Sequence, residues 1–432
     1  MKNTYSEMED SGIKWIGDIP SHWEIKRGKN CLTLLSRSVL DDDDIITCFR
    51  DGEVTLRKNR REEGFTNALL EIGYQGVNAG DLVVHGMDGF AGAIGISDSR
   101  GKASPVLNVM DSPNCKRFLM YYLRSLANKE VFLSLSTGIR VRSCDLRWNK
   151  LAVLPFILPP LPEQTAIAAY VDEKCGTIDE IIAEAKASIE EYKAWKSSVI
   201  FEAVTKGLDP HAEMKDSGVE WIGKVPKCWN ICKTLRCLVM PITDGPHTTP
   251  ELFDSGIPFV SAEAVSCGNG RIDFSHIRGF ISQEFYAECC KKYIPQRDDI
   301  YMIKSGATTG KVAMVDVDHK FTIWSPLAVF RVNTKRMMAR YLFYFLQSNA
   351  YQKQVELEWS FGTQQNIGMR VLENLLVCLP SLTEQANIIT ALDEKCAAID
   401  GIIAEKEALI ADMEAYKKSL IFETVTGKRK VC

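Results

Sequence analysis

Few residue clusters in this chain have the types and spacing that do chemistry, and each fails at a definite point. Residues 306–312, GATTGKV, carry the glycines and lysine of a phosphate-cradling loop. One residue is missing between the glycines, and Val312 stands where a Ser or Thr hydroxyl must hold magnesium. The tripeptide DEK occurs at residues 172–174 and again at 393–395, with the acid-x-lysine spacing found in nucleases. Both copies fall in long helical stretches without a further convergent carboxylate, so a solvated helix face is expected. Cys228, Cys232, Cys237 and His247 offer zinc-binding atoms, but their spacings fit no finger or ribbon. No GxSxG, HExxH, dinucleotide fingerprint or nucleotide-flipping methyltransferase signature occurs. The chain is therefore expected to catalyse nothing itself.

The elements that hold these residues are written twice. DSGIKWIGDIPSHW at residues 10–23 returns as DSGVEWIGKVPKCW at 216–229. LPPLPEQ at 158–164 returns as LPSLTEQ at 379–385, and DEKCGTIDEIIAE at 172–184 returns as DEKCAAIDGIIAE at 393–405. Between these repeats, residues 24–157 and 230–378 look little alike. A fixed frame with two different inserts implies one scaffold that reads two different things. Six segments follow: signature 1–23, insert 24–157, helix 158–207, signature 208–229, insert 230–378 and helix 379–432.

Each repeated helix carries a one-sided apolar seam. Val171, Cys175, Ile178, Ile182, Ala185 and Ile189 alternate at three and four residues, as do Leu392, Cys396, Ile399, Ile403, Ile410 and Met413. Lys196, Lys406 and Lys417 interrupt the seams. Pro162 suits a helix start, Thr383 is the expected cap of the second helix, and Gly207 and Gly427 mark the ends. Each helix should run ~40–45 residues, roughly 60–65 Å. One helix is the natural partner of the other, and chain order makes the pair antiparallel. Within the inserts, residues 80–97 and 298–316 each read as strand, Gly-rich turn and strand, hence hairpins. Helical stretches follow from Phe118 and Ala339. The expected fold class is mixed α/β (α+β): two insert domains held apart by a long antiparallel coiled-coil pair, with an internal pseudo-two-fold repeat.

Composition fits a globular chain with ordinary cores, at 432 residues with 46% hydrophobic and 25% charged content. No run of 18 apolar residues occurs, so no membrane partner is expected. The 14 cysteines are irregularly spaced and suit a reducing, cytoplasmic setting better than a disulfide framework. The net charge of −4 conceals an uneven distribution. Residues 24–158 hold 19 basic against 16 acidic groups, and residues 230–379 hold 16 against 14. The frame keeps 17 basic against 26 acidic. Both inserts are mildly basic, and local cations are what a phosphate backbone needs.

The doubled order DSGxxWIGxxPxxW, variable region, LPxLxEQ helix resembles the specificity subunit of type I restriction-modification enzymes over nearly the whole chain. The resemblance implies two target recognition domains, each reading one half of a split, asymmetric site on double-stranded DNA. It implies spacer helices that also dock two methyltransferase subunits, with motor-nuclease subunits completing the enzyme in phage defence. It further implies that S-adenosylmethionine, ATP and Mg2+ act on partner chains, with no cofactor or metal on this one.

On that resemblance, the loop 360–368 lies against DNA. Thr363, Gln364, Gln365 and Asn366 bring paired donors and acceptors suited to base edges, adenine in particular. In the first insert, STGIRVRS at 136–143 offers Arg140 and Arg142 for guanine edges or phosphates. The hairpin turns add Lys304, Ser305, Thr308, Thr309 and Lys311 in one copy, and His85 and Asp88 in the other. TDGPHTTP at 243–250 adds Thr243 and His247. RKNRR at 57–61 packs Arg57, Lys58, Arg60 and Arg61 into five residues and suits phosphate contact. Trp15 and Trp221 read as packing anchors. The competing class is a non-catalytic coiled-coil adaptor whose inserts bind proteins.

Overall fold

The structure is a computed structural model that describes residues 4–60, 71–134, 146–361 and 365–431. It divides into two compact units, Met1–Lys186 with Glu407–Cys432, and Ala187–Lys406.

Unit one begins with the signature segment. Met8–Asp10 pairs antiparallel with Asp18–Pro20, and Ile13, Ile16, Ile19 and Trp23 go into the core. The invariant-looking spacing of that motif is therefore the spacing of its buried residues. Trp15 packs against the same core half-buried, as an anchor should. Next, Glu24–Arg27 pairs with Pro155–Leu158, which clamps the two ends of the insert together in front of the long helix. The insert itself is built on an antiparallel four-stranded sheet. Its spatial order is Thr33–Leu34, Leu107–Asp111, Leu82–His85, Ile94–Ile96. The last two strands are the hairpin that the sequence predicts. Helix Lys116–Asn128 buries Phe118, Leu119, Tyr122 and Leu126 in the core shared with the long helix.

Unit two repeats this plan. Met214–Asp216 pairs with Lys224–Pro226, and Asn230–Lys233 pairs with Leu376–Leu379. Its four-stranded sheet has the order Thr243–Asp244, Leu327–Phe330, Ile300–Ile303, Val312–Met314. The inserts look unalike as sequence because the sheet requires only apolar strands at the right separation, not particular side chains. Helix Ala339–Gln347 takes the place of Lys116–Asn128, burying Tyr341, Leu342 and Phe345. Trp221 packs half-buried against this core.

The long helices are Leu161–Lys206, 46 residues, and Leu382–Val425, 44 residues. At ~1.5 Å per residue they measure roughly 65–70 Å. Gly207 and Gly427 end them in the left-handed region, at φ 78° and 73°, which a residue with a Cβ adopts only at a cost. Thr383 is not the cap. It lies inside the first turn, and the Ser381 hydroxyl accepts from the Glu384 amide at 3.3 Å instead. Within each unit the helices run antiparallel. In unit one Tyr170 lies by Arg429 and Asp179 by Lys417; in unit two Tyr192 lies by Lys406 and Lys196 by Asp400. The lysines that interrupt the seams thus have a purpose. Lys417 reaches Asp179 at 2.6 Å and Lys196 reaches Asp400 at 2.7 Å, at equivalent places in the two repeats.

The DEK segments also differ from expectation, since their aspartates are not a merely solvated face. Asp172 accepts from Arg117 Nε at 2.8 Å and from the Tyr121 hydroxyl. Asp393 accepts from Arg340 Nε at 2.9 Å and from the Tyr344 hydroxyl at 2.5 Å. Each therefore ties an insert helix to a long helix. The glutamine of LPxLxEQ does the same at the start of that insert helix. Gln164 accepts from the Cys115 amide at 3.0 Å, and Gln385 accepts from the Met338 amide at 2.8 Å. Cys115 and Met338 are the N-caps of Lys116–Asn128 and Ala339–Gln347, so each buried Gln satisfies an amide at a helix end.

Candidate nucleic-acid interface

In unit two, three segments singled out in the sequence come together at the end of one strand. Lys304 follows Ile300–Ile303 and serves as the hub. Its carbonyl accepts from the Ile367 amide at 2.9 Å, and Ser305 forms an antiparallel bridge with Asn366. Gln365 lies on the adjoining short strand Gln365–Asn366, paired with Ser360–Phe361. On the other side, Lys304 Nζ lies 3.3 Å from Asp244 of the Thr243–Asp244 strand. Backbone pairing thus places the Gln365–Asn366 strand beside the hairpin turn, and the Lys304–Asp244 ion pair brings the Thr243–Asp244 strand to the same place.

Asp244 is only 1% exposed and collects three nitrogen-bearing neighbours, two of them ammonium groups. These are Lys292, Lys304 and the His247 imidazole at 3.2 Å. Burial pushes its carboxyl upward, yet Lys292 and Lys304 outweigh that and hold it below the usual carboxylate range. The consequence for Lys304 is that its ammonium group is committed to Asp244 and its side chain is only 12% exposed. His247 stays mostly outside, at 72%. Thr243 is half-buried within its strand.

The rest of the hairpin turn faces elsewhere. Thr309 Oγ1 donates to the Gly306 carbonyl at 2.7 Å and closes the turn, and half-buried Thr308 sits beside it. Exposed Lys311 and half-buried Thr309 line a cavity of about 320 Å³ with Asn269, Gln347 and Gln352. The phosphate-loop likeness of GATTGKV ends here, because the turn joins two strands and no helix N-terminus follows it.

Unit one arranges its candidates around an open cleft of about 730 Å³. Arg57 and Arg60 of the basic run line it together with Arg50, and His85 and Asp88 come from the hairpin turn. The cations are balanced locally. Arg60 meets Asp51 at 2.7 Å and Glu53 at 3.1 Å and stacks 4.2 Å over the Phe49 ring. Lys58 meets Asp44, and Arg50 meets Asp88 at 2.9 Å. Burial lowers the His85 pKa, and its Nδ1 accepts from the Asp88 amide at 2.9 Å, so the neutral ring is the form held there. Arg61, Arg140, Arg142, Thr363 and Gln364 lie outside the described residues.

The family model for the type I restriction modification DNA specificity domain matches residues 246–410. Over 365 residues the chain is 26% identical to the type I restriction enzyme MjaVIII specificity subunit of Methanocaldococcus jannaschii, covering 83% of this chain and 78% of that one. It is 24% identical over 363 residues to the EcoBI specificity subunit of Escherichia coli, covering 81% and 73%. Residues 246–410 carry the type I DNA specificity domain, and the chain as a whole is similar to type I specificity subunits.

Solved structures share the fold of this chain. A chain from a type I R-M system, described for its complex assembly and conformational transition, matches at TM-score 0.69 with 16% identity, covering 94% of this chain and 98% of that one. The HsdS subunit from Thermoanaerobacter tengcongensis matches at 0.50 with 16% identity, covering 97% and 99%.

Sequence reasoning missed a buried pair beside the sheet of each unit. Asp81 pairs with Arg37 and accepts from the Asn78 amide at 2.7 Å. Asp299 pairs with Arg331 at 2.7 Å and accepts from the Gln296 amide at 2.8 Å. In both, an Asp just ahead of the third strand in the sheet order holds the amide three residues back. The signal was present as the aligned aspartates of GDLVV and DDIYM. No helix among the described residues is long and apolar enough to cross a membrane.

Proposed function

We propose that this chain is a specificity subunit that reads a split, asymmetric DNA site, one half through each insert, and performs no catalysis itself. The supporting observation is the repeated frame. Two units share one sheet order, yet unit two presents a glutamine- and asparagine-bearing loop, and unit one presents an arginine-lined cleft. Gln and Asn side chains match the donor–acceptor pair of adenine, whereas arginine suits guanine or phosphate. On this reading, methyltransferase and motor-nuclease subunits supply the S-adenosylmethionine-, ATP- and Mg2+-dependent steps in the cytoplasm.

The reading rests on which backbone segments meet, not on unpaired cations, because Lys58, Arg60 and Lys304 already have acidic partners. Phosphate contact by those three would require exchanging a local carboxylate for a phosphate. The test is a mobility shift with the assembled complex across salt concentrations, together with mapping of methylated adenines in the host genome. A steep fall of affinity with salt and a methylated motif with two half-sites and a fixed gap are expected. Salt-independent association, or a single continuous motif, refutes the reading.

A further inference from the structure

One site in unit two has no counterpart in unit one and lies outside the segments proposed above to read DNA. Cys232 lies on the strand Asn230–Lys233, and Cys237 ends the 3-10 turn Thr234–Cys237 that follows. Their sulfurs are 3.4 Å apart. Forming a disulfide requires an approach to ~2.05 Å, a movement within reach of side-chain rotation and slight backbone adjustment. Cys232 is half-buried, whereas Cys237 is fully buried.

The repeat supplies an internal control. Counting along the duplicated signature, Cys31 stands where Cys237 does, and Lys26 stands where Cys232 does. Cys31 is also buried at the end of a 3-10 turn, so the frame accepts a thiol there for packing alone. The frame does not require a second one beside it. We propose that Cys232 and Cys237 form a peroxide-sensitive dithiol, with Cys232 the attacking and Cys237 the resolving sulfur.

The surroundings suit those roles. The two sulfurs share one S–H···S contact, which stabilises a thiolate on half-buried Cys232, and the guanidinium groups of Arg336 and Arg236 add positive potential there. The same contact, with burial, keeps the proton on Cys237. In the first step the Cys232 thiolate attacks one oxygen of a peroxide. The O–O bond breaks, the departing oxygen leaves as water after taking a proton, and Cys232 becomes a sulfenic acid. Cys237 sulfur then attacks Cys232 sulfur. The S–S bond forms, the S–O bond breaks, and hydroxide leaves with the Cys237 proton as a second water. Two thiols have then given two electrons to one peroxide, and a thiol reductant reverses the change.

The experiment uses the full chain, reduced, freed of reductant and exposed to increasing hydrogen peroxide before alkylation with N-ethylmaleimide. Trypsin cuts after Lys233 and Arg236, between the two cysteines, so a crosslink shows as joined fragments that separate on reduction. The wild-type result expected is an intact mass lower by about 2 Da before alkylation, with residues 232 and 237 joined before any other cysteine is modified. Cys237→Ser should stop at a Cys232 sulfenic acid that dimedone traps, and Cys232→Ser should leave Cys237 unmodified. Should Cys228 or Cys31 oxidise first in the wild-type protein, or Cys232 join Cys378 instead, the assignment is overturned. The wild-type order needs no variant to fold, so loss of either variant does not remove the test.

Discussion

Unit one and unit two share a frame, but they do not use its equivalent positions equally. At the start of the first long helix, Glu163 accepts from the Tyr5 hydroxyl at 2.5 Å and the Trp23 indole at 3.2 Å, and meets His22 at 2.9 Å. The counterpart of Glu163 is Glu384, and the positions equivalent to Tyr5, His22 and Trp23 hold His211, Cys228 and Trp229. The Trp229 indole nitrogen is buried without a partner among the described residues. Both units place the tryptophan in the core, and only unit one satisfies its polar edge. The difference teaches that the repeat fixes backbone course and core contacts, while polar closure is set locally in each copy. Recognition surfaces are where such local differences accumulate without disturbing the fold.

The largest expected effect tests whether the buried aspartates are equivalent. Asp299→Ala strands Arg331 and removes the acceptor of Tyr293 and the Gln296 amide. Breaking such a buried pair should cost about 3–5 kcal/mol. Asp81→Ala should cost about 2–3 kcal/mol, because Arg37 is better solvated and can regain water. Denaturant unfolding followed by hydrogen exchange in each unit checks both. Equal losses in the two units erase the distinction.

Next in size are the residues proposed to read DNA. Replacing Gln364 and Gln365 by alanine should cost about 1–3 kcal/mol per base position at one half-site. Arg140→Ala with Arg142→Ala should act on the other half-site alone. Binding titrations with each half-site scrambled in turn provide the measurement, and any pair that weakens both halves equally breaks the assignment of one insert to each half.

A smaller effect probes the clamp itself. Glu163→Ala should destabilise unit one by about 1–2 kcal/mol, since three groups lose a charged acceptor. Glu384→Ala should change unit two by less than about 0.5 kcal/mol. Thermal unfolding of the two variants side by side reads the contrast.

The smallest effect is in pH. The His85 pKa is lowered by burial, so the unfolded chain takes up a proton first as pH falls below about 6.5. Unit one should then lose stability progressively down to the lower folded value. The Asp244 pKa is also depressed, but from an ordinary value near 3.9. Its contribution to unit two is therefore intact above that value and is lost only as pH falls through the folded one. Hydrogen exchange between pH 7 and 5 should weaken around His85 and leave the Asp244 region unchanged.

Much of this architecture could be read from residue order. The hairpins around residues 86 and 306, the seams and the helix-ending glycines obey local rules of period and backbone geometry, which operate within a few residues. The misread elements depend on distant partners. Asp172 and Asp393 look solvated until Arg117 and Arg340, more than 50 positions away, fold over them. Lys196 and Lys417 look like seam errors until the opposite helix supplies an aspartate. In the same way, Lys304 and Arg60 look free for phosphate in sequence, and only tertiary contacts reveal the carboxylates beside them. Residue type was legible; its commitments were not.

The division of the chain also has a consequence for its birth on the ribosome. Unit two is one uninterrupted stretch, Ala187–Lys406, whereas unit one also needs Glu407–Cys432. Ile421 and Val425 complete the core of unit one, and Gly427 abuts Pro20. The insert that is synthesised first therefore cannot close until the last helical turns emerge, and the later insert finishes ahead of it. Domains usually mature from the N-terminus onward during synthesis; here the expected order is inverted. Nascent chains halted after residue 406 should resist protease through residues 187–406 while the first 186 remain open to cleavage. A circular permutant that carries residues 407–432 ahead of Met1 should restore the usual order.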